Sequence, residues 1–306
     1  MPDAAVPLEP QLAEMARRWK DSGIPGLYEG GDPSASRERG RCIRAFLYPS
    51  PTIEVASIDA LEIPGADGPL PARIVRPHGA VRGTVVFFHG GGWVLGDLQS
   101  HEAHCRRIAA ECGVVVLNVG YRLAPEHRFP AAAMDAMAAL DWAFEHVGRL
   151  GGAALPVAVA GDSAGGNLAA VAALHARARG LPLAAQLLIY PATDMSRRLD
   201  ADIARAYFGE RVQQQASDWR ASPALAERHA GLAPAIIGVG AHDFLYEDNL
   251  AYAARLQAAG VPVLLRQYPA LNHGFFSFTR VSPGSLQAAQ QLCADLRGLL
   301  EPGVAR

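Results

Sequence analysis

The chain is predicted to be an α/β protein, a mostly parallel sheet of about eight strands flanked by helices, and three observations predict it. From Thr84 onward, short β-branched runs alternate with longer amphipathic stretches, the pattern of a parallel sheet covered by helices. Glycine-rich turns follow directly on two of those runs. Finally, 306 residues, half of them hydrophobic, are enough to bury one large core with a small appended lid.

The elements read in order as follows. Val55–Ile63 and Pro71–Val75 supply an antiparallel edge, and Thr84–His89, Val114–Val119, Pro156–Gly161, Leu187–Tyr190, Ala235–Ala241 and Val261–Tyr268 follow as strands. Between them, His101–Glu111, Ala131–His146, Gly165–Ala178, Asp248–Ala259 and Ser285–Leu300 have helical periodicity, several opening after Ser, Asp or Pro and closing before Gly. Two regions break the alternation. Leu8–Leu47 and the polar stretch Met195–Ser222 are too long for simple connections and are expected to pack together as a cap.

A net charge of -2 without a long run of like charges argues against nucleic acid and against a polybasic membrane anchor, leaving a small molecule as the expected partner. Every hydrophobic run is interrupted before it reaches the roughly 18 residues of a membrane span. Met1–Lys20 lacks the basic-then-apolar order of a secretory signal, so a cytoplasmic protein is expected. Cys42, Cys105, Cys112 and Cys293 show no C-x-x-C spacing and are expected to be reduced thiols.

The chemistry is concentrated in four places. Val157-Ala158-Val159-Ala160 runs into Gly161-Asp162-Ser163-Ala164-Gly165 and then a helical stretch, so Ser163 sits on a sharp strand-to-helix turn. Gly161 and Gly165 remove side chains that would clash there, and the first helical N–H groups, notably that of Ala164, aim at any developing anion. Upstream, His89-Gly90-Gly91-Gly92-Trp93 follows the strand ending in Phe88, and its glycines let backbone N–H groups turn inward. An oxyanion hole formed by the N–H groups of Gly91, Gly92 and Ala164 is expected. A phosphate loop fits less well, because neither G-K-[ST] nor the dinucleotide glycine spacing is present.

An acid and then a histidine must follow the serine, each at a strand end. The run Ala235–Ala241 leads to Asp243, and Val261–Tyr268 leads to His273, which become the candidate orienting acid and general base. Glu247 and Asp248 read instead as first-turn residues of the next helix, and His242 precedes any acid and reads as structural. His89 reads as a brace for its loop. His101, His104 and Cys105 lack a second ligand pair, so no metal is expected and they read as a capped helix with ordinary surface histidines.

Together with Tyr121-Arg122-Leu123-Ala124-Pro125-Glu126-His127, these motifs resemble those of the hormone-sensitive-lipase-like, or bacterial family IV, carboxylesterases over about Val55 to Leu300. The resemblance implies an α/β-hydrolase core, a helical cap made partly of the N-terminus, hydrolysis of short-chain acyl esters and no cofactor. The organisation then expected is an N-terminal cap segment over 1–47, catalytic core over 48–194, a shortened cap insertion over 195–222 and further core over 223–306. Two departures stand out. Relatives often carry D-P-L at the acid, where Asp243 is followed here by Phe244-Leu245, and their cap segment after Asp194 is longer. A short insertion predicts an open site that favours short acyl groups and tolerates bulky alcohols, unless Leu8–Leu47 or a partner subunit covers the gap. An amidase or peptidase on the same triad, and a ligand-binding receptor of the same fold, are the alternatives, and a homodimer is left open.

Overall fold

The computed structural model describes residues 6–24, 32–47, 53–152, 154–198 and 202–301. The expected boundary between 47 and 48 lies at the edge of these residues, and positions 199–201 of the expected insertion lie outside them. Among the described residues, β1 (Ser57–Gly65), β2 (Gly68–Arg76), β3 (Thr84–Phe88), β4 (Val115–Val119), β5 (Val157–Asp162), β6 (Leu183–Ile189), β7 (Ala235–His242) and β8 (Val263–Asn272) form one sheet in the order β1-β2-β4-β3-β5-β6-β7-β8. The hairpin β1–β2 is antiparallel and joins β4 antiparallel, and every other pairing is parallel.

The alternation of side chains along a strand divides the core into two layers. Val86 and Phe88 of β3 and Val157 and Val159 of β5 enter one layer, whereas Val85, Phe87, Ala158 and Ala160 enter the other. Buried residues of α4 (Ala131–Glu145), α5 (Ala164–Arg179) and α8 (Tyr246–Ala258) belong to the first layer, and those of α3 (Glu102–Cys112) and α9 (Pro283–Leu300) to the second. Helix α5 is alanine-rich and buried around most of its circumference, which lets the backbone carrying residue 164 approach the sheet closely.

Two strands differ from expectation. β6 begins at Leu183 rather than Leu187: Ala184 and Ala185 are weak strand formers, and pairing with β5 and β7 draws this stretch into the sheet, where the fully buried Gln186 donates Nε2–H to the Ala233 carbonyl at 2.9 Å. β8 continues to Asn272 through Pro269, which an edge strand tolerates because one side of its ladder is unused.

The N-terminal region forms α1 (Pro10–Asp21) and α2 (Pro33–Leu47). Leu12, Met15 and Ile43 bury into the second layer. Ahead of α1, the Glu9 N–H donates to the Ala270 carbonyl at 2.9 Å. Its carboxylate accepts from the Ser282 hydroxyl at 2.5 Å and the Gly284 N–H at 3.2 Å, at the positive N-terminal end of α9. The stretch after Asp194 forms α6 (Asp202–Phe208) and the single turn α7 (Val212–Gln215), with Ala204, Tyr207 and Phe208 buried in the first layer. The two excursions are thus rooted in opposite layers of the core.

Candidate active site

All four chemically marked turns lie at the carboxyl ends of parallel strands, where ligands bind in open α/β sheets. Ser163 follows β5 with φ 54° and ψ -116°, a conformation rare for a residue with a side chain, held by its N–H donating to the Ile189 carbonyl at 2.8 Å. The strain is enforced by packing: a Cβ at Gly165 would stand 2.0 Å from the Phe88 carbonyl oxygen, so α5 meets β3 closely only because that residue is glycine.

Asp243 follows β7 and His273 follows β8, and the sheet brings both to Ser163. The His273 Nε2 lies 3.0 Å from the Ser163 Oγ, and its Nδ1 lies 2.8 Å from the Asp243 Oδ2. The Asp243 side chain is fully buried, and its other oxygen accepts the Leu245 N–H at 2.7 Å, which fixes the carboxylate plane. The three predicted residues therefore form one continuous hydrogen-bonded row. Such a row can abstract a proton from the hydroxyl and hold the resulting imidazolium against a carboxylate.

The glycine loop curls beside the serine. Gly91 and Gly92 have φ of 119° and 61°, and Gly91 packs so tightly that a Cβ would stand 2.3 Å from the Leu95 carbonyl oxygen. Gly91, Gly92 and Ala164 all border the cavity into which Ser163 opens. His89 braces this loop from below, fully buried, with Nδ1 2.9 Å from the Gly90 carbonyl and its ring stacked 4.3 Å from that of Tyr121. The Tyr121 hydroxyl donates to the His89 carbonyl at 2.6 Å. Burial pushes the His89 imidazole down to about 4, so it is neutral at pH 7.

His101 and His104 are not surface residues. Both are only 4% exposed, and His101 caps α3 without a side-chain cap bond, so the expected capped helix with surface histidines is corrected. Their rings lie 4.8 Å apart, and the His101 Nε2 is 3.5 Å from the Asp162 Oδ2. Asp162 also accepts the Gly90 N–H at 2.9 Å. Burial alone would raise this carboxyl, but His101, His104 and His89 outweigh it and hold Asp162 well below the usual carboxylate range. Its charge thus pins the first glycine of the loop to the residue preceding Ser163. One donor atom from each of His101, His104 and Asp162 can be chosen so that all lie within 4.8 Å. Within the chain, the His101 Nε2 faces the Asp162 carboxylate and the His104 Nε2 lies 3.2 Å from the Ser277 hydroxyl. The sequence signal for it was the acidic residue beside the serine, a buried charge that needs partners.

Residues 85–277 match a protein family described as alpha/beta hydrolase fold. The chain belongs to that family. This α/β hydrolase is 40% identical over 316 residues to the carboxylic ester hydrolase LipN of Mycobacterium tuberculosis (strain ATCC 25618 / H37Rv), with 96% of this chain and 83% of the relative covered. It is 41% identical over 259 residues to the carboxylesterase NlhH of the same organism, covering 77% and 81%. Among solved structures it resembles a hyperthermophilic esterase from Pyrobaculum calidifontis with a TM-score of 0.87 and 34% identity, covering 96% of this chain and 99% of that one. The resemblance read from the motifs is thereby established, and the hydrolase sits among carboxylic ester hydrolases.

In this hydrolase the cavity over Ser163 has a volume of about 890 Å³. The short stretch after Asp194 contributes Met195, Arg198 and Ile203 to its wall, and α1 and α2 contribute Met15, Trp19, Arg37, Gly40 and Arg41. The cavity wall is therefore shared by the N-terminal helices and the stretch after Asp194. Both excursions grip the residues just after the glycines: Tyr207 stacks on Trp93 at 4.3 Å and an interplanar angle of 6°, while Arg37 donates Nε–H to the Val94 carbonyl at 2.9 Å. Neither contact has a local sequence signature. Among the described residues, no helix is long and apolar enough to cross a membrane.

Proposed function

We propose that this α/β hydrolase is a serine carboxylesterase acting on short-chain acyl esters, with Ser163 as nucleophile, His273 as general base and Asp243 as its orienting acid. The observation that carries the reading is the row Asp243–His273–Ser163, with bonds of 2.8 and 3.0 Å, opening into one cavity. His273 takes the Ser163 proton as Oγ adds to the ester carbonyl, and Asp243 stabilises the imidazolium. The tetrahedral oxyanion is received by the N–H groups of Gly91, Gly92 and Ala164, each such donor being worth about 2.7–4 kcal/mol in a comparable hole. His273 returns the proton to the departing alkoxide. Water then repeats the cycle on the acyl-enzyme, and the residues in this scheme need no cofactor to complete it.

A cavity of about 890 Å³ is within the roughly 300–1,000 Å³ of sites for drug-sized ligands, which suits a short acyl group joined to a bulky alcohol better than a long-chain triacylglycerol. α1, α2 and the stretch after Asp194 are assigned as the two halves of the cap. A cytoplasmic location belongs to the same reading, and the four free thiols support it. The test is covalent: an alkyl phosphonate ester should inactivate the protein with one equivalent bound, located on Ser163 by peptide mass, and Ser163→Ala should take up none. Labelling elsewhere, with inactivation, would overturn the assignment.

A further inference from the structure

The residue after Asp243 has no part in the proton relay, yet its side chain is the most exposed large hydrophobic group among the described residues, at 65%. Phe244 borders the cavity, and its ring centroid is 4.6 Å from that of His273. It is held there by a contact from the cap. Arg198 reaches across from the cap, places its guanidinium 5.3 Å from the ring centroid and donates to the Phe244 carbonyl at 2.7 Å. Arg198 is itself fixed by Asp248, whose Oδ2 accepts from Nη2 at 2.6 Å and from Nε at 3.0 Å. An aromatic ring that is both open to the cavity and immobilised at its backbone is a pre-organised platform rather than a stray surface residue.

Its position relative to the chemistry decides what the platform meets. The acyl oxygen must point at Gly91, Gly92 and Ala164, and the leaving oxygen must reach the His273 Nε2 to collect its proton. The group attached to that oxygen therefore lies along the His273 side of the cavity. Phe278 also borders this side, its Cζ 3.1 Å from where a Cβ at Gly274 would stand. We infer that Phe244 forms the floor of the alcohol subsite and makes this enzyme selective for esters whose alcohol carries a flat aromatic ring. The inference rests on the carboxylesterase reading and names the substrate class for it.

Benzyl acetate and cyclohexylmethyl acetate test it, since their alcohols are similar in size and acidity and differ chiefly in the flat π face. An aromatic pair contributes about 0.5–1.5 kcal/mol beyond its buried area, so the wild type should favour benzyl by about twofold to twelvefold in kcat/KM. Phe244→Leu should bring the ratio near one, and Phe244→Trp should keep it above about twofold. Taking the ratio cancels any disturbance of Asp243 common to both esters. Hydrolysis of neither ester by the wild type would overturn the esterase reading itself. Hydrolysis of both, with a ratio that is near one in the wild type or unchanged in Phe244→Leu, overturns the assignment of Phe244 alone.

Discussion

The Arg37 guanidinium faces the Glu126 carboxylate with two parallel bonds of 2.8 Å, joining the N-terminal helix α2 to the segment that follows β4. The same guanidinium donates to the carbonyls of Ala124 at 3.0 Å and Val94 at 2.9 Å. Four bonds from one side chain hold the cap wall and the glycine loop in a single frame. Glu126 is more than half exposed, so the ion pair alone is worth little, and the weight falls on the bonds to the two carbonyls.

Arg37→Ala should therefore cost more than Glu126→Gln. The expected outcome is faster amide exchange in α2 and a fall of about tenfold in kcat/KM for the arginine variant, the size of one charge-assisted hydrogen bond. Glu126→Gln should change kcat/KM by less than about threefold, as for an exposed pair. Equal losses in the two variants would show that the pair, not the carbonyl bonds, carries the frame.

In the proposed proton relay, Asp243→Asn should lower kcat by several orders of magnitude while the fold persists, because the amide no longer holds the imidazole in the required tautomer. Glu247→Gln should do far less, since Glu247 lies in the first turn of α8 and takes no part in the row. Steady-state kinetics on one activated ester decides it. Comparable losses in both would break the assignment.

His89 ties stability to pH. Its imidazole titrates near 4 in the folded chain against an ordinary value of 6.5, so below pH 6.5 the unfolded chain binds the proton that the folded chain refuses. The contribution is complete above 6.5 and is lost as pH falls through about 4, amounting to about 3 kcal/mol over that interval. Urea midpoints at pH 7 and pH 4.5 should converge more in His89→Gln than in the wild type. Parallel declines in the two proteins would dissociate His89 from the effect.

Acyl selectivity should peak at short chains with a shallow slope, since each buried methylene is worth only about 0.8 kcal/mol and the cavity is shared with the alcohol. A series of kcat/KM values from acetate to dodecanoate measures it. A sharp optimum at dodecanoate would mean that the cavity extends farther than its walls of Met15, Trp19 and Ile203 imply.

The candidate site was legible where its residues are contiguous or ordered by topology. Ser163 and the glycines announce themselves through steric necessity at a turn, and Asp243 and His273 follow because successive parallel strands must deliver their ends to one edge. What escaped is what depends on distant covering. Helical periodicity grouped His101 with His104, but their burial is completed by residues some 170 positions later: the Phe276 ring stands 5.1 Å from that of His104, and the Ser277 hydroxyl 3.2 Å from its Nε2. Arg37 and Glu126 are 89 positions apart in loosely patterned segments, and no period links them. The early half of β6 was hidden because alanine and glutamine become strand residues only when neighbours on both sides supply the ladder.

The anchoring of Glu9 to Ala270, Ser282 and Gly284 bears on how the protein is made. A ribosome releases residue 9 long before it has polymerised residue 284, so α1 emerges as an orphan whose docking ground does not yet exist. The cavity wall that carries Met15 and Trp19 can be seated only after β8, which leads into His273, has been laid against the sheet. Chains truncated before residue 270 should accordingly leave α1 open to protease, and restoring the remaining residues should protect it.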